Sequence, residues 1–171
     1  MKKLIAIFMA ALMMLCVTAC GNPTNPTEPA PSENGGTPES SFTFTYKGTE
    51  IALHASAEPI IAALGEPKTY SESTSCAFEG LDKSYGYGSF YLETYPKGDK
   101  DFVYGWWFVD DMVETEEGIC IGSSQADVEK AYGAEHKSGD NSFVIRRGSG
   151  MLTIILDKGT VTSIQYTIVT E

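Results

Sequence analysis

The sequence predicts an α+β fold: two tandem units, each a short helix followed by a three-stranded antiparallel meander, forming one sheet with the short helices on one face. Three observations predict it. The stretch 119–133 repeats the stretch 51–65 without a gap, and Ile51/Ile119, Ser56/Ser124, Ala63/Ala131 and Gly65/Gly133 are identical. Within each copy a serine stands where a helix N-cap needs a hydroxyl acceptor, and a glycine stands where the chain leaves the helix. Residues 60, 63, 64 and 128, 131, 132 between them mark one apolar helical face. Each copy is then followed by alternating apolar runs separated by turn residues, the pattern of half-buried strands. A three-stranded sheet on one short helix buries little, which argues for packing the two units side by side.

Residues 1–19 precede the fold. Met1-Lys2-Lys3 is a basic start, and Leu4 to Leu15 is a nearly unbroken apolar run, shorter than a comfortable bilayer span and of the length of a secretory signal. The segment ends Val17-Thr18-Ala19-Cys20-Gly21. Small residues before a cysteine resemble the lipobox of bacterial lipoproteins. The resemblance implies cleavage before Cys20, a lipid thioether on its sulfur, and an extracytoplasmic protein anchored to the bacterial cell membrane through that lipid. Two or three acyl chains suffice for stable anchoring, each buried CH₂ contributing about 0.8 kcal/mol. Plain secretion with cleavage near Ala19 is the competing reading.

Residues 20–41 follow as a tether. Five prolines, no large apolar residue and many hydroxyls and amides cannot bury enough surface to offset ordering entropy. Without Lys2 and Lys3 the 12 basic residues fall to 10 against 23 acidic ones, 10 − 23 = −13. Such a charge disfavours nucleic acid, which needs a basic footprint, and favours partners that are cationic at the contact.

The first unit is expected over 42–111. Phe42 to Tyr46 alternates and runs into the turn signal Lys47-Gly48. A helix at about 57–64 and strands at 75–79, 87–95 and 102–109 come next, the last two separated by Pro96-Lys97-Gly98-Asp99. The second unit is expected over 112–171, with a helix at about 125–132 and strands at 142–147, 151–156 and 161–169. Asp157-Lys158-Gly159 supplies its last hairpin turn. The acidic run Asp110 to Glu117 reads as a solvated linker between the units, and lacks the loop spacing of a calcium site.

Gly122-x-Ser124-x-x-x-Val128-x-x-x-x-Gly133, with the closing Leu156-Asp-Lys-Gly-Thr-Val161-x-x-Ile164, resembles the repeat of the beta-lactamase-inhibitor-protein-like superfamily. It is similar also to the small lipoproteins of the outer-membrane assembly machinery. In the first unit His54 stands for Gly122, and Pro59 occupies the third helical position. The resemblance implies helices on one sheet face and a partner on the other. It transfers no inhibitor activity, because fold analogy does not carry a site.

The chemistry-bearing residues are few. His54 and His136 have no cysteine or histidine at ligand spacing, and no nucleophile elbow, zinc helix or phosphate loop is present, so neither metal nor cofactor is expected and the chain reads as a non-enzyme. Cys76 and Cys120 survive removal of the signal and lipidation of Cys20. They are a candidate disulfide in an oxidising compartment, or two buried free thiols. Strand parity places Phe102, Tyr104, Trp106 and Phe108 in the core opposite Ala62 and Ala63, and leaves Tyr91, Tyr95 and Trp107 facing away. With Tyr85 and Tyr87 these form the candidate interaction surface, of the composition that interfaces favour. The expected function is a lipid-anchored module binding a protein or envelope ligand, the alternative being a structural subunit of an envelope assembly.

Overall fold

A computed structural model describes residues 41–170; the signal, Cys20 and most of the tether lie outside the described residues. The chain opens with a hairpin, β1 (Thr43–Tyr46) and β2 (Thr49–Ala52). Its turn residues Lys47 and Gly48 both have positive φ, 50° and 84°, as a tight two-residue turn between twisted strands requires. Helix α1 (Ala57–Leu64) is next, then four strands: β3 (Thr69–Thr74), β4 (Leu81–Gly86), β5 (Phe90–Lys97) and β6 (Lys100–Phe108). A long connection leads to α2 (Gln125–Tyr132), a 3-10 turn at Ala134–His136, and strands β7 (Ser142–Arg147), β8 (Gly150–Asp157) and β9 (Thr160–Ile168). β3 to β9 form one antiparallel sheet in the order β3-β4-β5-β6-β9-β8-β7.

This corrects the expected α+β fold of two helix-plus-meander units. The molecule is β-rich, with a seven-stranded sheet, a separate two-stranded hairpin and, among the described residues, two eight-residue α-helices. The halves are not equivalent, for the first supplies four strands to the sheet and the second three. β3 and β4 were not expected, and β3 escaped the alternation criterion for a physical reason. β3 reads TYSEST and every residue of it is exposed, so no apolar period marks it. It is held by cross-strand pairs instead, Tyr70 beside Tyr85 and Glu72 opposite Lys83. The expected strand at 75–79 is the loop after it, folded back on Ser75, whose Oγ accepts from the N–H groups of Ala77 and Phe78.

The two helices differ in how they start. Ser124 makes a full capping box, accepting from the Asp127 N–H at 3.2 Å and donating its own N–H to the Asp127 carboxylate at 3.2 Å. Ser56 makes no side-chain cap, and Pro59 fits the first turn of α1 because its missing N–H has no intrahelical partner there. Gly65 and Gly133, at φ 81° and 96°, end the helices.

One face of the sheet carries the core. In register across it run Tyr70, Tyr85, Leu92, Trp106, Tyr166, Leu152 and Ile145. The cover over the large rings is the β1–β2 hairpin rather than the alanines of α1. Phe44 lies 5.1 Å from Phe90 and from Phe108, and Phe42 lies 5.2 Å from Tyr166. Ala62 and Ala63 are exposed, while α1 buries Ala57 and Ile60. A bulge in β6 corrects the expected aromatic row. Glu93 pairs with Gly105 and Thr94 with Val103, so Tyr104 has no partner and parity reverses beyond it. Trp106 and Phe108 keep the core, Val103 joins them at 0% exposure, and Phe102 turns to the other face.

The acidic connection is not a solvated linker. Val113 and Thr115 are buried, and Glu117 accepts from Tyr132 Oη at 2.7 Å and from Arg147 Nη2 at 2.6 Å. Burial pushes the Glu117 carboxyl up, but these hydrogen bonds outweigh it and hold the group below its usual 4.5. A depressed carboxyl stabilises the fold above the unfolded value and loses that contribution as pH falls through the folded one. Wild type should therefore lead Glu117→Gln in urea midpoint at neutral pH, and the lead should shrink below about pH 4.5. A lead that stays constant with pH would refute this role for the charge.

Candidate functional site

The second sheet face has no helix or hairpin of the described residues on it. Its register gives one row across all seven strands, Thr69, Gly86, Tyr91, Trp107, Gln165, Thr153 and Val144. At its centre Tyr91 and Trp107 are half-buried and stacked, with ring centroids 5.1 Å apart and planes 25° from parallel. Gly86 makes room for this pair, since a Cβ there would come within 2.8 Å of the Tyr91 ring. The adjacent row is Ser71, Ser84, Glu93, Gly105, Thr167, Met151 and Arg146, with no side chain at Gly105 two positions before Trp107. Burial raises the Glu93 carboxyl, opposed by a hydrogen bond from Ser84 and reinforced by nearby Asp82.

The other candidate aromatics lie elsewhere. Tyr95 shares this face by parity but is only 7% exposed, because Phe78 of the 75–80 loop covers it at 4.4 Å and its hydroxyl meets His54 Nδ1 at 3.1 Å. Tyr87 is buried at 8% exposure, stacked on Phe90. Tyr85 is on the core face, half-buried in a groove of about 440 Å³ between α1 and β6, where burial raises its hydroxyl. Its neighbour Tyr70 donates to Glu72 at 2.7 Å, and that bond, with smaller help from burial and charge, pushes the phenol up to about 12. Tyr91 and Trp107 are therefore brought together, and Tyr85, Tyr87 and Tyr95 are not part of their surface.

Cys76 and Cys120 are free thiols, not a bridge. Cys76 is exposed on the loop beyond the edge strand β3. Cys120 is half-buried, its N–H donating to Ser123 Oγ at 3.0 Å, in a segment pinned to β9 by the bond from Gly122 N–H to Val161 O. Among the described residues no three His, Cys, Asp or Glu gather as metal ligands, and no helix is long and apolar enough to cross a membrane.

The His54–Tyr95 pair was not foreseen, and no local signal announces a contact across 41 positions. His54 has φ 63°. Lys47 and Lys158, the other non-glycine residues at positive φ among the described residues, occupy two-residue hairpin turns, where that conformation is required.

No protein-family model matches the chain, and no curated protein matches it. Among solved structures it is similar to an extracellular protein containing a SCP domain from Bacillus anthracis str. Ames, at 13% identity and a TM-score of 0.43, over 72% of this chain and 47% of that one. The chain thus spans about half the length of that protein. A likeness of this size leaves function to be argued from the residues themselves.

Proposed function

We propose that the chain is an extracytoplasmic, lipid-anchored binding module that works by contact rather than catalysis, and that its open sheet face engages a protein partner. The carrying observation is the stacked Tyr91–Trp107 pair, half-exposed at the centre of a sheet face that no helix or hairpin of the described residues covers. Large rings held rigid at the middle of a polar surface are the residues on which interface energy concentrates. The acidic excess favours a partner that is basic around the contact. The anchor is supported by the apolar segment that ends in Val17-Thr18-Ala19-Cys20.

The test places a photo-crosslinking residue at Thr153, in the same row as Trp107, in the membrane-anchored protein. One partner should be captured, and Trp107→Ala should weaken its binding by about 2 kcal/mol while leaving the thermal midpoint nearly unchanged. Mass spectrometry should find acyl mass on Cys20, and Cys20→Ser should release the chain from the membrane. Undiminished capture by the Trp107→Ala protein would remove the face from the proposal; an unmodified N-terminus would remove the anchor.

A further inference from the structure

Strand β6 changes neighbours along its length. Gly105 to Trp107 pair with Gln165 to Thr167 of β9, whereas Val103 bonds to the β2–α1 connection. Its N–H donates to the Ala55 carbonyl at 2.9 Å and its carbonyl accepts from His54 N–H at 3.0 Å. Two segments therefore diverge from one strand. At this seam, roofed by the 75–80 loop, lies a cavity of about 600 Å³ whose lining includes His54, Phe78, Tyr95, Lys97, Ile168 and Val169. Small-molecule sites have such volumes, and the wall of this one is polar and apolar in about equal measure.

Each polar side chain lining this cavity, His54, Tyr95, Lys97 and Thr170, can donate a hydrogen bond. Burial, and then the Lys97 ammonium, hold His54 below its usual 6.5, so its imidazole is neutral at neutral pH. In either tautomer the His54–Tyr95 pair keeps one unspent donor. If Tyr95 donates to Nδ1, Nε2 carries the free N–H; if Nδ1–H donates to Tyr95, the phenol O–H is free. Lys97 forms no salt bridge among the described residues, and its ammonium lies 5.9 Å from the Phe102 ring centroid. In a chain with 23 acidic residues, none of the described residues lining this cavity is acidic.

We propose that the seam cavity is a binding site for a small organic carboxylate with an apolar body. The body packs between Phe78, Tyr95 and the aliphatic end of β9. The carboxylate meets the Lys97 ammonium and the unspent donor of the His54–Tyr95 pair. A cationic ligand would meet Lys97 with like charge. The site is separate from the Tyr91–Trp107 pair and stands or falls independently of the proposed function.

The experiment titrates 3-phenylpropionate into the whole protein in detergent and follows the His54 ring resonances, with 3-phenylpropionamide as the uncharged control. Saturable shifts at His54 are expected, with the amide binding about tenfold more weakly because it forfeits the charge-assisted bond. Lys97→Met, at an exposed position, should weaken the acid by about tenfold without lowering the thermal midpoint. Phe78→Ala should weaken acid and amide alike, and Trp107→Ala should change neither. Absence of a saturable response at His54, equal binding of acid and amide, or full affinity in the Lys97→Met protein would overturn the proposal.

Discussion

Trp106→Ala is expected to lose about 3–5 kcal/mol of stability, the cost of deleting a large ring from a core that cannot collapse onto the space. Trp106 is 0% exposed at the middle of the core row, stacked on Tyr166 at 4.9 Å and lying 6.1 Å from Phe44 of the covering hairpin. Its neighbours come from three separate parts of the chain. The hole would therefore open between the hairpin and the junction of β6 with β9. Trp106→Phe should cost less, because it keeps a stacking ring and removes an indole N–H that has no acceptor among the described residues. Urea denaturation followed by circular dichroism measures both. A loss below about 1 kcal/mol for the alanine variant would mean that this row is not the core.

The contrast between Trp106 and its neighbour Trp107 shows what alternation makes legible. Parity along 106–107 separates the buried ring from the half-exposed one, because that stretch is regular and paired on both sides. It fails four residues earlier, because the Tyr104 bulge depends on a register shift against β5 that no local pattern in β6 encodes. Strands β7, β8 and β9 are readable for the same reason as Trp106. Each is an apolar-rich run between turn signals whose burial alternates, one face buried and the other half-buried or exposed. The edge strand β3 has no buried face and hence no period to read.

The candidate surface was legible in part and for the same cause. Tyr91 and Trp107 face each other across two regular strands. Tyr95 is two pleats from Tyr91 and should share its surface, but a loop held by the Ser75 hydroxyl bends Phe78 over it. Such cover comes from a tertiary contact. Tyr87 comes just after the end of β4, where strand parity no longer applies, and its ring turns onto Phe90. The repeat itself proved a local likeness. It marks two helices that end alike on glycine, yet one is capped by its serine and the other is not. The first helix leads into four strands of the sheet and the second into three.

Gly105→Ala is expected to destabilise the protein by about 3 kcal/mol, the upper end of what overpacking ordinarily costs. A Cβ at Gly105 would stand 2.0 Å from the carbonyl oxygen of Tyr166 and 3.0 Å from its carbon, inside any tolerable contact. The obstacle is backbone, so no rotamer change relieves it, and β9 must move. β6 and β9 pair through Gly105, Trp107 and the residue between them, and this is the joint between the four-stranded and three-stranded parts of the sheet. Gly86→Ala is the internal comparison. There the added carbon meets Thr69 Oγ1 at 2.2 Å and the Tyr91 ring at 2.8 Å, both side-chain atoms that can shift. Its cost should be smaller and its effect confined to the Tyr91 surface. Hydrogen exchange separates the two, with Gly105→Ala exposing the amides of β9 first and Gly86→Ala leaving them protected. Equal midpoints for wild type and Gly105→Ala would show that β9 yields without cost, and that the joint between the two parts of the sheet is not where its stability is concentrated.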